Sequence, residues 1–382
     1  MPRSRSVGPM ERYRRFVAET MAKRIPMIVR NAGDGFDTET VARLEAISRA
    51  IAAGAPMVVD LGNWPFAGWE GFPARVNGRR IGEAPFFDFE FWMYFRILEA
   101  VRFADTRADP FRATKHRDLD RHLKWADDAL GRVSTLAEGL ALALDANAHD
   151  LSQIGSPTGR YELGREALAL DAGSVRRLNL IADNFGGEFV ADLILCVIAA
   201  EAGVEVVVHV KQLPMFVSDT TADDVTILFD RLGSDGFGKR LQNAVQRGGI
   251  RFAAHAFWSS PKFFDRLPLD ELGEGPDVLN VLKGDLNFRR AIGDVTVPVE
   301  TPFQDLPVLP AAPLLSLRSI KSYCLAGMTD WPTALSKHEF PMDGSIVAVQ
   351  QVPVRDATAS AGSSSNAEPP LRRARRWFRR AG

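Results

Sequence analysis

Two short polar signals sit where apolar, β-type runs end: Asp183-Asn184 in LNLIADNFGGEF and Asp219 in LPMFVSDTTADD. The carboxyl ends of parallel strands are where open α/β sheets gather ligand groups. Two carboxylates and an amide oxygen converging there make a hard, oxygen-rich site for a divalent cation. A third strand end carries KGDLNFRR, whose Lys283, Asp285, Asn287 and Arg289 form the densest polar group after any strand. Lysine suits a phosphate as a mobile point charge, arginine as a bidentate donor, and Asp or Asn as partners for sugar hydroxyls. Glu188 falls in the first turn of the helix after Asp183, within reach of the same ligand, and shares a helix face with Asp192. Arg318 and Lys321 in RSIK could face one groove if that segment is helical. Metal-assisted phosphate chemistry is the reading these residues share.

Each signal also has a plainer role. A lone strand-end aspartate is commonly just an N-cap, and Ser218, Asp219 or Thr220 could each cap the helix holding Asp223 and Asp224. KGDLNFRR could be a surface turn with an internal ion pair, and His255 in AAHAFW reads as a core or loop histidine. Two strand-end acids in one sheet favour the ligand reading over capping. The histidines show no metal-type pairing with one another. No GxSxG elbow, cysteine-based phosphate loop or P-loop lysine motif is present.

The elements that must position these residues divide the chain. From residue 10 to about 170, apolar and charged residues recur mostly at helical spacing, which predicts a mainly helical N-terminal subdomain covering the site. A long loop rich in Gly, Pro and Trp interrupts it. Over 171–350, β-type runs (RRLNLIAD, VEVVVHVKQLP, GIRFAAHAFW, VLNVLKGD, LLSLRSIK) alternate with helical stretches, including a helix-like DRLPLDELGEG. That alternation predicts a three-layer α/β/α, Rossmann-like fold with a mostly parallel sheet. Residues 355–382 read as a flexible linker and an arginine-rich tail, LRRARRWFRRAG, open to an acidic partner.

Composition sets the outer bounds. The 382 residues carry a formal net charge of −1 and 46% apolar residues, ample for a core and with no overall bias toward nucleic acid or anionic membrane. Phosphate recognition must therefore be local. Only two cysteines occur, which excludes a disulfide framework and predicts a reducing, cytoplasmic setting. The charged N-terminus lacks a following apolar h-region, and no apolar run is long enough to span a membrane.

The segments DNFGGEFVADL, PMFVSDTTADD, FWSSP, KGDLNFRRAIGD and APLLSLRSIK resemble, in order and spacing, the metal-dependent damage-control phosphatases of the sugar-phosphate subfamily. That family also goes by the description acidic-residue, or protein-glutamate, methyltransferase. Weaker resemblance covers KRIP, APFFDFEFWMYFRI, DPFRATK and NAHDLS in the helical half. The resemblance implies that Asp183, Asn184 and Asp219 bind manganese, cobalt, nickel or magnesium. It implies that Glu188, Asp285, Asn287, Arg289 and Lys321 contact a sugar phosphate, with Lys283 beside them. Glu90, Arg96 and Asn147 match further substrate-binding positions. The signature RTxK reads Arg318-Ser319-Ile320-Lys321, keeping a hydroxyl. The family's Tyr-Arg-Arg reads Tyr94-Phe95-Arg96, its Trp-Gly before Asn147 reads Asp145-Ala146, and its closing motif is poorly kept around HEFPMDG. The expected activity is hydrolysis of a small phosphomonoester by metal-activated water, with Asp183, Asp219 and Lys283 as catalytic groups. The alternatives are methyl transfer from S-adenosylmethionine to a protein glutamate, or a non-catalytic sugar-phosphate sensor.

Overall fold

Strands β1 (Tyr161–Leu163), β2 (Arg177–Ile181), β3 (Glu205–Val210), β4 (Ile250–Ala254), β5 (Val278–Lys283), β6 (Leu314–Ser319) and β7 (Ile346–Val352) form one sheet. Its order is β1-β7-β6-β5-β2-β3-β4, in a computed structural model that describes residues 9–147, 161–168, 173–267, 272–273, 275–328 and 344–354. All neighbouring pairs are parallel except β6 with β7, which is antiparallel. The α/β class and mostly parallel sheet expected from the sequence are what the chain adopts. β1 and β7, which extend the sheet beyond β6, were not anticipated. The linker and arginine-rich tail over 355–382 and most of HEFPMDG lie outside the described residues.

Twelve α-helices surround this sheet among the described residues: α1 (Pro9–Glu19), α2 (Ile25–Asn31), α3 (Thr38–Ala52), α4 (Phe72–Val76), α5 (Phe86–Ala100), α6 (Phe103–Thr106), α7 (Arg112–Leu130), α8 (Leu136–Ala146), α9 (Gly187–Glu201), α10 (Ala222–Arg231), α11 (Gly236–Gln246) and α12 (Asp285–Ile292). The described part of the helix-like DRLPLDELGEG forms only a 3-10 turn at Phe264–Arg266. α9 explains the central packing. From Phe189 to Ala199 every residue is buried and only Asp192 is polar, and a helix apolar on all sides must be covered on all sides. α7, α8 and the sheet supply that cover through one shared apolar cluster. A second cluster joins α2, α3 and the aromatic α5 to Leu213 and Met215, so the N-terminal helices pack onto the loop after β3.

This order also fixes where the crevice lies. β2 is followed along the chain by β3 on one side, while β5 is followed by β6 on the other. Neighbours β2 and β5 therefore form the switch point, where loops leaving the carboxyl ends diverge and leave room for ligand. Asp183 lies two residues past β2, and Gly284 and Asp285 directly follow β5.

His209, within β3, is buried against Trp258 with ring centroids 5.3 Å apart. Burial, reinforced by Arg251 and Arg177, pulls its pKa down to about 3. The folded protein thus keeps this imidazole neutral, while the unfolded chain takes up a proton near pH 6.5. Stability should fall as pH drops from 6.5 toward 3, by about 1.4 kcal/mol per unit at most from this group. A His209→Leu variant is expected to lose less melting temperature than the wild type between pH 7 and pH 5. Equal losses would mean that the imidazole is charged in the fold.

Candidate active site

Neither acid is a helix cap. The N-cap of α9 is Gly186, at φ 92, and the Gly187 N–H donates instead to Asp118 Oδ2 of α7 at 2.8 Å. A Cβ on Gly186 would lie 2.1 Å from that same oxygen, so only glycine lets α7 cap α9 from outside. The N-cap of α10 is Thr221, in a reciprocal capping box with Asp224. It lies one residue beyond the Ser218–Thr220 candidates for that role. Both capping positions are thereby filled by other residues, and Asp183 and Asp219 are released for other work.

The two loops are stitched together. The Phe185 N–H donates to Ser218 O at 2.6 Å, and the Thr220 N–H to Asp183 O at 3.0 Å. This pairing brings Asn184 opposite Asp219 in an isolated antiparallel bridge. Lys211, the residue after β3, extends its ammonium between the acids, 2.6 Å from Asp219 Oδ1 and 3.2 Å from Asp183 Oδ1. Burial alone would lower the Lys211 pKa, but Asp219 and Asp183 outweigh it and hold the group above the usual lysine value. Asn184 is oriented by its neighbours, its Nδ2 donating to Glu188 Oε2 at 2.9 Å and its Oδ1 accepting from Ser218 Oγ at 2.6 Å. Glu188 Oε1 in turn accepts from Asn147 Nδ2 at 2.6 Å, and Asn147 Oδ1 accepts the Ser319 N–H at the end of β6. Asp183, Asn184, Asp219, Glu188 and Asn147 therefore form one connected buried network.

The cations Lys283 and Arg289 of KGDLNFRR are paired with buried acids. Lys283 is fully buried, 2.8 Å from Asp192 Oδ1 and 3.4 Å from Glu188 Oε1, and it also donates to Ala143 O in α8. It is enclosed by these partners, one of which is Glu188. Asp192 completes that pair, its pKa raised to about 7 by burial, which Lys283 offsets only in part. Arg289 lies between Glu90 (2.7 Å) and Asp294 (2.6 Å), joining α12 to α5. Asp285 accepts from Arg318 Nη1 at 2.8 Å. Arg318 belongs to a strand rather than a helix and is fully buried, so it does not share a groove face with Lys321 as a helical segment would require. Lys321 is half-buried two residues past β6. Arg96 pairs with Glu99 at 3.0 Å along α5. His255 caps a 3-10 turn through Nδ1, as its plainer reading implies.

Sequence reasoning missed Lys211 and Lys115. Lys115 is fully buried, 2.5 Å from Asp224 Oδ2 and 2.6 Å from Asp109 Oδ2, and donates to Asp219 O at 3.0 Å. It ties α7 to the loop bearing Asp219. The available signal was position: a lysine closing the apolar run VEVVVHV must be buried, and a buried ammonium requires acids nearby.

The residue types present are of the kind that suits a divalent cation. The donor set is two carboxylates and an amide oxygen; among the described residues, no group of three His, Cys, Asp or Glu side chains suits a metal. Gly284, at φ 83, leaves space that a Cβ would fill at 1.8 Å from Asp183 Oδ2. Beside it Asn287 donates through Nδ2 to Lys283 O at 3.0 Å, while its buried Oδ1 has no hydrogen-bond partner.

Together these features define an α/β protein with a buried acidic cluster beside the switch point of its sheet. The chain matches the damage-control phosphatase ARMT1-like domain over residues 20–334 and belongs to that family. It is similar to damage-control phosphatase ARMT1 of Macaca fascicularis, 31% identical over 172 residues covering 41% of this chain and 38% of that protein. Against the Homo sapiens protein of the same name it is 30% identical over 172 residues, with the same coverage of 41% and 38%. The match thus spans less than two-fifths of those relatives' length. A DUF89 family protein from Pyrococcus horikoshii is similar in structure at TM-score 0.47 and 15% identity, covering 88% of this chain and 98% of that one.

Gly284→Ala is expected to destabilise the protein by roughly 2 kcal/mol or more, through a strained φ and displacement of the Asp183 carboxylate. Gly248→Ala, at φ 76 with nothing within 4 Å of a new Cβ, carries only the backbone cost. Equal melting temperatures for the two variants would contradict the close approach of Asp183.

Proposed function

We propose that the chain is a metal-dependent phosphomonoester hydrolase acting on a sugar phosphate or a related small phosphorylated metabolite. The observation that carries this reading is the convergence of Asp183, Asn184 and Asp219, all buried, on two loops stitched together at the switch point. Family membership supports it. These three residues would hold manganese, cobalt, nickel or magnesium. A cation so bound supplies Lewis acidity toward a phosphoryl oxygen and acidifies water.

The chain's own residues have definite tasks in this reading. Glu188 orients the Asn184 side chain by accepting from its amide nitrogen, while the Asn184 oxygen accepts from Ser218 Oγ. Lys283 and Asn147 hold Glu188 in turn. The buried setting excludes bulk water and strengthens each charge interaction. Lys321, half-buried two residues past β6, is assigned to the phosphoryl group, while the Asn287 Oδ1 acceptor suits a sugar hydroxyl. Glu90 and Arg289 fix α5 against α12.

Both cysteines are buried free thiols, consistent with a reducing cytoplasm, and among the described residues no helix is long and apolar enough to cross a membrane. Methyl transfer from a sulfonium donor gives this acid cluster no task.

Asp183→Ala and Asp219→Ala should each reduce manganese-stimulated phosphate release from a panel of sugar phosphates by about 100-fold or more. Full activity in either variant would refute the assignment. Stabilisation of the wild type by S-adenosylmethionine but not by manganese would favour methyl transfer instead.

A further inference from the structure

Resting on the reading of Asp183, Asn184 and Asp219 as a cation site, we propose that Lys211 is a positioning residue that sets the charge of that site. It holds the two acids together before a cation arrives and keeps the loaded site net positive toward a phosphate dianion.

The geometry leaves Lys211 little freedom. Its side chain is 2% exposed, and its ammonium donates to Asp219 Oδ1 (2.6 Å), Asp183 O (3.0 Å) and Asp183 Oδ1 (3.2 Å). An ammonium has three protons, and three acceptors take them. No proton remains for a substrate, which separates this lysine from a general acid or a direct phosphate ligand. Its backbone is pinned as well: its N–H donates to Thr220 O at 2.9 Å, and its carbonyl accepts from the Ala222 N–H at 3.2 Å. The ammonium cannot swing out without opening the loop that carries Asp219.

Charge arithmetic gives this placement a consequence. Counted over these three groups alone, two carboxylates and one ammonium leave one net negative charge, with Glu188, Asp192, Lys283 and Lys115 beside them common to wild type and variant. A divalent cation turns this into one net positive charge, which attracts a phosphate dianion. Without the lysine the same acids leave two negative charges, which draw a cation more strongly, and the loaded site becomes neutral toward the anion. A lysine with a purely structural role would not move cation and anion affinities in opposite directions.

The test uses the full chain with Lys211→Met and Lys211→Arg. It measures the metal-free melting temperature, Mn2+ binding by calorimetry, and binding of inorganic phosphate to the Mn2+-loaded protein. The Met variant is expected to melt at least about 5 °C lower without metal. It should bind Mn2+ more tightly than the wild type, by up to about 10-fold, and phosphate about 10-fold more weakly. The Arg variant, which keeps the charge, should restore phosphate affinity to within about threefold. A Met variant that folds only when Mn2+ is present supports the proposal. One that stays unfolded with Mn2+ overturns it, because the cation has then failed to replace the lysine's charge. Loss of Mn2+ and phosphate affinity together in the Met variant, or no change in either, removes the inference while leaving the cation site intact. Failure of the wild type to bind Mn2+ removes the cation-site reading and this inference with it.

Discussion

A buried cation set between two buried carboxylates is the interaction on which the crevice depends. Lys211 spans Asp183 and Asp219, Lys115 spans Asp109 and Asp224, Lys283 spans Glu188 and Asp192, and Arg289 spans Glu90 and Asp294. Such pairs add little net stability compared with apolar packing, because desolvation offsets their attraction. Removing one partner is another matter, costing about 3–5 kcal/mol by leaving a charge stranded. The arrangement therefore enforces geometry more than it strengthens the fold: acids that would repel one another in a dry environment are held side by side. Three of the four units also cross between elements distant in sequence, joining α7 to the Asp219 loop, β5 to α9, and α5 to α12.

The sheet order makes this convergence possible. Loops after β2 and β5 leave the switch point in opposite directions, and the loop after β3 folds back to pair with the first of them. α9 anchors the centre through an apolar surface covered on every side. Its start is capped by Asp118 from α7, not by the strand-end acid of its own chain segment. That substitution of one carboxylate for another leaves Asp183 facing its lysine and its glycine.

Much of this was legible in the sequence. Strand-to-helix alternation gave the sheet, and the placement of Asp183, Asn184, Asp219 and Glu188 at apolar run ends gave the acidic side of the crevice. What could not be read is which cation serves which acid. Lys283 and Arg289 look like phosphate ligands because they cluster in sequence with Asp285 and Asn287. The fold places their side chains against acids from α9 and α5, a long-range pairing that local pattern does not encode. Lys211 was hidden for the converse reason, since its acidic partners lie on loops that meet only in three dimensions. The capping question was likewise undecidable locally, because the Gly187 N–H is satisfied from a helix 69 residues earlier. β7 escaped because it returns antiparallel to β6 instead of continuing the βαβ rhythm.

The most direct measurement of the central claim is anomalous diffraction at the manganese edge from crystals of the protein grown with Mn2+. A single strong peak within coordination distance of Asp183, Asn184 and Asp219, with Lys211 still beside the two carboxylates, is the predicted result. A peak bound elsewhere, or none at this crevice at saturating Mn2+, would contradict it.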